Sequence, residues 1–227
     1  HDKALAINGG RHPLPSREHF AQWLGACGIS ENTQVVVYDR NGQTFCGRAW
    51  WMMKWCGHEA VAILDGGMAA WQAAGGAMAS GVAPQVPAKS AYPLAAPLVA
   101  VTELDTVWRH LDSDQTIVDA RAPARYRGDV EPLDPIAGHI PGALNLPFNE
   151  NFDADGRFKS RDSLRQMWLK LLGDCNHAHV VMHCGSGVSA VPNVVSMALA
   201  GLPTPTLYAG SWSEWSRHPD TPKTKEV

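Results

Sequence analysis

Two stretches of this chain spell one pattern twice. Val35-Val36-Val37-Tyr38-Asp39 and Val180-Val181-Met182-His183-Cys184 are both β-branched runs that end in a polar residue. Leu64-Asp65-Gly66-Gly67-Met68-Ala69-Ala70-Trp71 lines up with Tyr208 to Trp215 at nearly the same spacing, and so does Gly57 with Gly201. A near-constant spacing across three separated segments marks a duplicated unit. Within each copy, strand and helix patterns alternate. Ser16 caps a helical pattern through Ala26, followed by a strand over Gln34–Tyr38, a helix over Arg48–Gly57 and a strand over Ala60–Leu64. The second half reads as a Thr102-capped helix to Leu111, strand Thr116–Asp119, helix Arg161–Leu172, strand His179–His183, helix Ala190–Ala200 and a strand near Thr206–Tyr208. Such alternation predicts an α/β fold of two like domains, each a parallel sheet flanked by helices, with ligand loops at the carboxyl ends of the strands.

The expected division is a first copy over residues 1–79, a Pro-rich linker over 80–100 and a second copy over 101–227. Pro84, Pro87, Pro93 and Pro97 stand among small residues with little apolar periodicity, the composition of an extended, semi-rigid connector. The chain of 227 residues is long enough for two modest cores. Its 45% apolar and 18% charged residues are those of an ordinary globular protein, and no stretch reaches the length of a membrane-spanning helix. A net charge of −3 without a basic run argues against nucleic acid or anionic membranes as partners. Cys27, Cys46, Cys56, Cys175 and Cys184 are odd in number and lack framework spacing, which predicts free thiols in a reducing, cytoplasmic setting.

The chemistry concentrates at His183-Cys184-Gly185-Ser186-Gly187-Val188-Ser189-Ala190. A strand delivers one cysteine into a glycine-spaced loop, and a helix follows at once. Backbone N–H groups and a helix N-terminus favour negative charge there, so Cys184 is predicted to act as a nucleophile. Cys175, His177, His179, His183 and Cys184 crowd one stretch. They straddle a strand whose side chains alternate between faces, so no metal site is expected. Most tryptophans, Trp50, Trp51, Trp55, Trp71, Trp108 and Trp168, fall among apolar neighbours and read as packing. Trp212 and Trp215 lie on a loop expected to border the pocket, where substrate or acceptor contact competes with packing.

A cysteine phosphatase of this architecture needs an arginine six positions after the nucleophile, and that position holds Ala190. Cys184, Gly187 and Ala190 instead match the Cys-x-x-Gly-x-x-Ala loop of rhodanese-type sulfurtransferases. Gln115 to Arg121 resembles that family's strand ending in Asp-x-Arg, Gly138-His139-Ile140-Pro141-Gly142-Ala143 its Gly-His-Ile-Pro-Gly-Ala motif, and Gly210 to Trp215 its glycine-tryptophan loop. The loop Cys-Gly-Ser-Gly-Val-Ser is similar to that of the 3-mercaptopyruvate sulfurtransferases. The resemblance implies two rhodanese-like domains. The first is an inert copy, because Asp39 stands where the second carries Cys184. Applied to the Gly-His motif, the spacing places its first-copy counterpart ahead of His1, so that copy is expected to begin upstream by on the order of 50 residues or more.

The resemblance also implies roles. Cys184 carries a persulfide, Ser186 relays a proton, Arg125 pairs with the donor's carboxylate, and Gly185, Gly187, Val188 and Ser189 line the donor site. Asp119, Arg121 and His139 belong to structural motifs, Arg121 paired with Asp119 or a backbone carbonyl. The implied donor is 3-mercaptopyruvate, since Gly185 and Ser186 add no cation for thiosulfate. The acceptor is a thiol, thioredoxin-like or of low molecular weight, or cyanide, and no cofactor is required. Thiosulfate as donor, and a persulfide carrier without efficient small-donor turnover, are the alternatives; a catalytically silent interaction protein stands third. Two departures matter: Glu131-Pro132-Leu133-Asp134-Pro135 lacks the second substrate arginine that such enzymes often carry there, and the relay's aspartate and histidine partners are expected upstream of His1.

Overall fold

A computed structural model of the chain describes residues 8–40, 44–82, 87 and 92–225. The first half contains α1 (Arg17–Ala26), β1 (Val35–Val37), α2 (Thr44–Trp55), β2 (Val61–Ile63) and α3 (Gly67–Ala73). The second contains β3 (Val101–Thr102), α4 (Leu104–Arg109), β4 (Thr116–Asp119), α5 (Pro123–Arg127), β5 (Leu144–Asn145), α6 (Arg161–Leu172), β6 (Val180–His183), α7 (Val191–Leu199), β7 (Thr206–Tyr208) and α8 (Ser211–Trp215). Strands β1 and β2 pair in parallel, and the second sheet is a parallel array in the order β3-β7-β6-β4-β5. The order α1-β1-α2-β2-α3 repeats as α6-β6-α7-β7-α8, so the duplication read from the sequence is a duplication of structure.

Local chemistry explains the elements. Ser16 and Ser160 occupy equivalent places and cap α1 and α6, accepting from the N–H groups of His19 at 3.1 Å and Ser163 at 3.3 Å. Helix α6 presents Leu164, Trp168 and Leu172 at four-residue spacing, and all three are buried. Central strand β6 is buried along its whole length, as a strand covered on both faces must be. Burying each large side chain such as Trp51, Trp168 or Met182 contributes roughly 1.5–3 kcal/mol. Helix α4 departs from expectation: it begins at Leu104 behind Glu103, with no side-chain cap from Thr102, because Thr102 is held in β3 beside Tyr208.

Part of the proline-rich segment, including Pro84, lies outside the described residues. Its later part is tied to the first copy: Ala95 N–H donates to the Cys56 carbonyl at 3.2 Å, Leu98 N–H to that of Lys54 at 3.0 Å, and the buried Tyr92 hydroxyl meets His58 Nδ1 at 3.0 Å. One tryptophan contradicts the packing reading. Trp71 is 43% exposed and lines an open apolar groove with Val36, Tyr38 and Met78, its indole N–H held by the Ala77 carbonyl.

The copies meet reciprocally through equivalent parts. The segment before α1 lies on the loop before α8: Gly9 N–H donates to Glu214 at 2.6 Å and Arg11 N–H to Ser213 Oγ at 3.0 Å. The segment before α6 lies on the loop before α3, where Phe158 N–H donates to Asp65 at 2.9 Å. Between them α2 packs on α7, so closely that a Cβ on Gly47 would lie 3.3 Å from Val191. This docking brings residues of the first copy to the loop that carries Cys184.

Candidate active site

Cys184 sits at the carboxyl end of β6 and is fully buried. Its Sγ accepts from the backbone N–H groups of Ser186 at 3.5 Å and Gly187 at 3.2 Å, the anion cradle expected of a nucleophilic thiol. Gly187 has φ +75°, and a Cβ there would collide with the Ala209 carbonyl, so only glycine fits. The loop before α8 braces the cradle from outside. Trp212 N–H donates to the Cys184 carbonyl at 3.0 Å and Ser213 N–H to that of Gly185 at 2.9 Å. Ser211 Oγ accepts from Cys184 N–H at 3.2 Å while its own backbone holds φ 55°, a strained left-handed conformation kept in place by these contacts. Val188 is 7% exposed and Ser189 half-buried at the end of the loop.

Ser186 has a partner that sequence reasoning missed. His12 Nδ1 lies 2.7 Å from Ser186 Oγ, which puts a histidine of the described chain beside the serine whose histidine partner was expected upstream of His1. It comes from Gly9-Gly10-Arg11-His12, the segment ahead of α1, and not from a first-copy Gly-His motif. Gly10 lets this segment approach, since a Cβ would lie 2.8 Å from the Gly210 carbonyl. Partial burial, then the charges of Arg11 and Arg48, lower the His12 pKa, which keeps the ring neutral and able to exchange a proton with Ser186. Arg48 of α2 is a second omission. It is 5% exposed, donates to the carbonyls of Gly187 at 2.7 Å and His12 at 2.9 Å, and so ties the His12 segment to the cradle. Burial pulls its pKa down to about 10, opposed by negative charge on Cys184, so it remains a cation at neutral pH.

The expected structural motif is in place. Arg121 donates to Asp119 through Nε at 2.9 Å and Nη2 at 2.7 Å, and to the Gly138 carbonyl at 2.6 Å. Asp119 is wholly buried; burial alone would raise its pKa, but His183 and Arg121 outweigh it and hold the carboxyl below its usual range. His139 stacks on Tyr126 at 3.9 Å and its Nδ1 meets the Tyr126 carbonyl at 2.8 Å. Trp212 and Trp215 do not border the pocket: both are fully buried. Trp212 lies under Arg121, 4.8 Å from its Cζ, with its indole N–H on the Ile136 carbonyl, and Trp215 donates to the Pro222 carbonyl.

Arg125 lies beside Gly185 of the loop, held by Glu131 at 2.6 Å and Asp134 at 3.4 Å. The segment that lacks a second arginine thus supplies carboxylates, and Asp134 also pairs with Arg11. Two other thiols, Cys46 and Cys56, are held in the poorly nucleophilic protonated form. Burial, then neighbouring Asp39, pushes Cys46 up to about 12, and burial pushes Cys56 up to about 11. Among the described residues no group of three His, Cys, Asp or Glu side chains is placed to hold a metal ion, and no helix is long and apolar enough to cross a membrane.

Known proteins agree with this architecture. The family model described as the rhodanese-like domain matches residues 3–74 and 103–218. A Pseudomonas aeruginosa protein described as a probable 3-mercaptopyruvate sulfurtransferase is 43% identical, over 94% of this chain and 75% of its own length. The Rattus norvegicus 3-mercaptopyruvate sulfurtransferase is 37% identical over 90% of this chain and 69% of its own, and the Gallus gallus thiosulfate sulfurtransferase 33% identical over 94% and 74%. The crystal structure of Saccharomyces cerevisiae Tum1 superposes with a TM-score of 0.83 at 26% identity, covering 98% of this chain and 80% of that one. With both copies matched and Cys184 set in the strand-loop-helix cradle, the chain belongs to the rhodanese-like domain family.

Proposed function

We propose that this chain is a sulfurtransferase that takes the sulfur of 3-mercaptopyruvate, releasing pyruvate, and passes it as the sulfane sulfur of a Cys184 persulfide to a thiol or cyanide. The observation that carries the reading is Cys184 Sγ in its two-donor cradle with the Ser186–His12 pair alongside. Relatives described as 3-mercaptopyruvate sulfurtransferases, at 33% to 43% identity, support the donor.

The chemistry follows from the groups present. The Cys184 thiol gives its proton to the Ser186–His12 pair, and the thiolate attacks the donor's sulfur. A sulfur–sulfur bond forms as the carbon–sulfur bond breaks, and the electron pair leaves on carbon as the enolate of pyruvate. Ser186 protonates that enolate and is recharged from His12. The persulfide then rests where the N–H groups of Ser186 and Gly187 stabilise charge. An acceptor thiolate or cyanide attacks the outer sulfur and returns Cys184 as thiolate. Arg125 binds the donor's carboxylate, Asp119, Arg121 and His139 support the loop, and the five free cysteines suit a reducing, cytoplasmic compartment.

Thiosulfate is the second reading, favoured by relatives described as thiosulfate sulfurtransferases and by cations that would hold its oxygens. Steady-state kcat/KM on the two donors decides. The account expects 3-mercaptopyruvate to exceed thiosulfate; the reverse order makes thiosulfate the donor, and no turnover with either leaves only a persulfide carrier.

A further inference from the structure

We propose that Arg11, carried by the first copy, is the second donor-binding arginine of the site built on the second. The proposal rests on the reading of Cys184 as a sulfurtransferase nucleophile. Gly185, the residue after the nucleophile, is faced by two guanidinium groups. The atoms nearest to where its Cβ would lie are Arg11 Nη2 at 3.1 Å and Arg125 Nη1 at 3.3 Å, followed by Arg125 Nη2 at 3.6 Å. Arg11 Nη2 and Arg125 Nη1 have no hydrogen-bond acceptor among the described residues, although each side chain is anchored through its other nitrogens. Two N–H-bearing nitrogens from different copies of the repeat thus converge on one small space beside Cys184, and glycine is the residue that leaves the space open.

The anchoring makes this an anion site rather than a domain clasp alone. Arg11 Nη1 pairs with one oxygen of Asp134 and Arg125 Nη2 with the other at 3.4 Å, and that carboxylate is wholly buried. Asp134 therefore pre-orients both forks, which lowers the ordering cost of binding. Arg121 pairs with Asp119 and Glu131, and Arg217 stands 3.8 Å from Asp134. Four guanidiniums then face three carboxylates, a residual positive charge that a single carboxylate would neutralise. Arg11 and Arg125 keep 22% and 18% side-chain exposure, so a ligand can reach them, whereas Asp134 and Glu131 are closed off. The ligand class is a small 2-oxo acid whose carboxylate accepts from Arg11 Nη2 and Arg125 Nη1, its third carbon pointing its sulfur at Cys184. Because His12 follows Arg11, one short segment of the first copy delivers both a donor-binding cation and the relay histidine.

The test uses the full chain with Arg11→Ala, Arg11→Lys and Arg125→Ala. Turnover of 3-mercaptopyruvate, inhibition by the product pyruvate, and discharge of a preformed persulfide by cyanide are measured alongside thermal stability. The proposal expects Arg11→Ala to raise the KM for 3-mercaptopyruvate and the inhibition constant for pyruvate tenfold or more, with lysine restoring part of both, and cyanide discharge to change less than threefold. Wild-type KM and pyruvate inhibition in Arg11→Ala would overturn it. So would a lowered melting point with losses shared equally by donor binding and persulfide discharge, which would make Arg11 a strut between the copies. Wild-type protein that ignores 3-mercaptopyruvate but is still inhibited by pyruvate through Arg11 would refute the donor assignment and leave the anion site standing.

Discussion

The loops after β1 and β6 hold different acids in the same device. After β1, the Asp39 carboxylate accepts from the N–H groups of Phe45 at 2.9 Å and Cys46 at 3.1 Å at the start of α2. After β6, Cys184 Sγ accepts from Ser186 and Gly187 N–H ahead of α7. Both loops place an acidic group against backbone N–H donors, so the cradle itself is not what distinguishes the copies. The difference lies in the acid: a carboxylate satisfies the donors permanently, whereas sulfur can leave and return as persulfide. The first copy also reaches the second, sending Arg11, His12 and Arg48 across the interface.

Exchanging the two acids should have the largest effect on activity. Cys184→Asp should give a folded protein without detectable sulfur transfer, and adding Asp39→Cys to it should restore nothing. The segment before α6 places Arg157 and Phe158, not a histidine relay, against the first copy's loop. Restored turnover in the double variant would mean that the cradle alone suffices.

The largest stability effect should come from Asp119, whose carboxylate is buried against Arg121. Asp119→Asn is expected to cost about 3 kcal/mol in urea unfolding, the low end for a broken buried pair, because Arg121 keeps Glu131 and the Gly138 carbonyl. The folded-state pKa of Asp119 is lowered, so the carboxylate's contribution is fully present above the ordinary carboxylate range near pH ~4. It is lost as pH falls through the depressed folded value. The gap between wild type and variant should therefore narrow on acidification, and a gap that widened would contradict the assignment.

His12→Ala should lower kcat on 3-mercaptopyruvate by roughly 10²-fold, the scale of a lost acid–base partner. Because the His12 pKa is lowered, the wild-type kcat/KM profile should hold below pH ~6.5 before its acid limb begins, and that limb should vanish in the variant. The smallest effect concerns Ser211, which takes the left-handed conformation that glycine takes at its first-copy counterpart, Gly67. Ser211→Gly relieves strain of about 1–3 kcal/mol but removes hydrogen bonds to Cys184 and Tyr208 of about 0.5–1.5 kcal/mol each. Thermal unfolding should place it within about 1 kcal/mol of wild type, while sulfur transfer slows severalfold as the Cys184 loop loosens.

Which parts were legible in the sequence follows from how they are encoded. Strand β4, helix α6 and strand β7 fall at Thr116–Asp119, Arg161–Leu172 and Thr206–Tyr208 as their patterns predict, because an apolar run or a capped amphipathic period is a local signal. Cys184, Ser186 and Gly187 were legible for the same reason: strand, glycines and helix sit side by side. Arg11 and His12 were not, because they reach the loop through docking of a segment more than 170 residues distant in sequence, which no periodicity records. The available clue was the position of His12 shortly before the Ser16 cap, in the stretch equivalent to the one before Ser160 through which the second copy docks on the first. Arg48 looked like an ordinary helical residue, and only the packing of α2 on α7 gives it the Gly187 carbonyl. The tryptophans of the last loop stayed open between contact and packing because a loop near the pocket need not turn its largest side chains toward it; Trp212 and Trp215 are fully buried.

One thiol, Cys184, cradled after β6 beside residues of the first copy, is proposed to carry the sulfur. Intact-mass and peptide mass spectrometry after brief exposure to 3-mercaptopyruvate tests it directly. The expected result is one added sulfur, located on the peptide containing Cys184, removed by cyanide, and absent from Cys184→Ser. Sulfur retained in Cys184→Ser, on Cys46, Cys56 or another thiol, would contradict it.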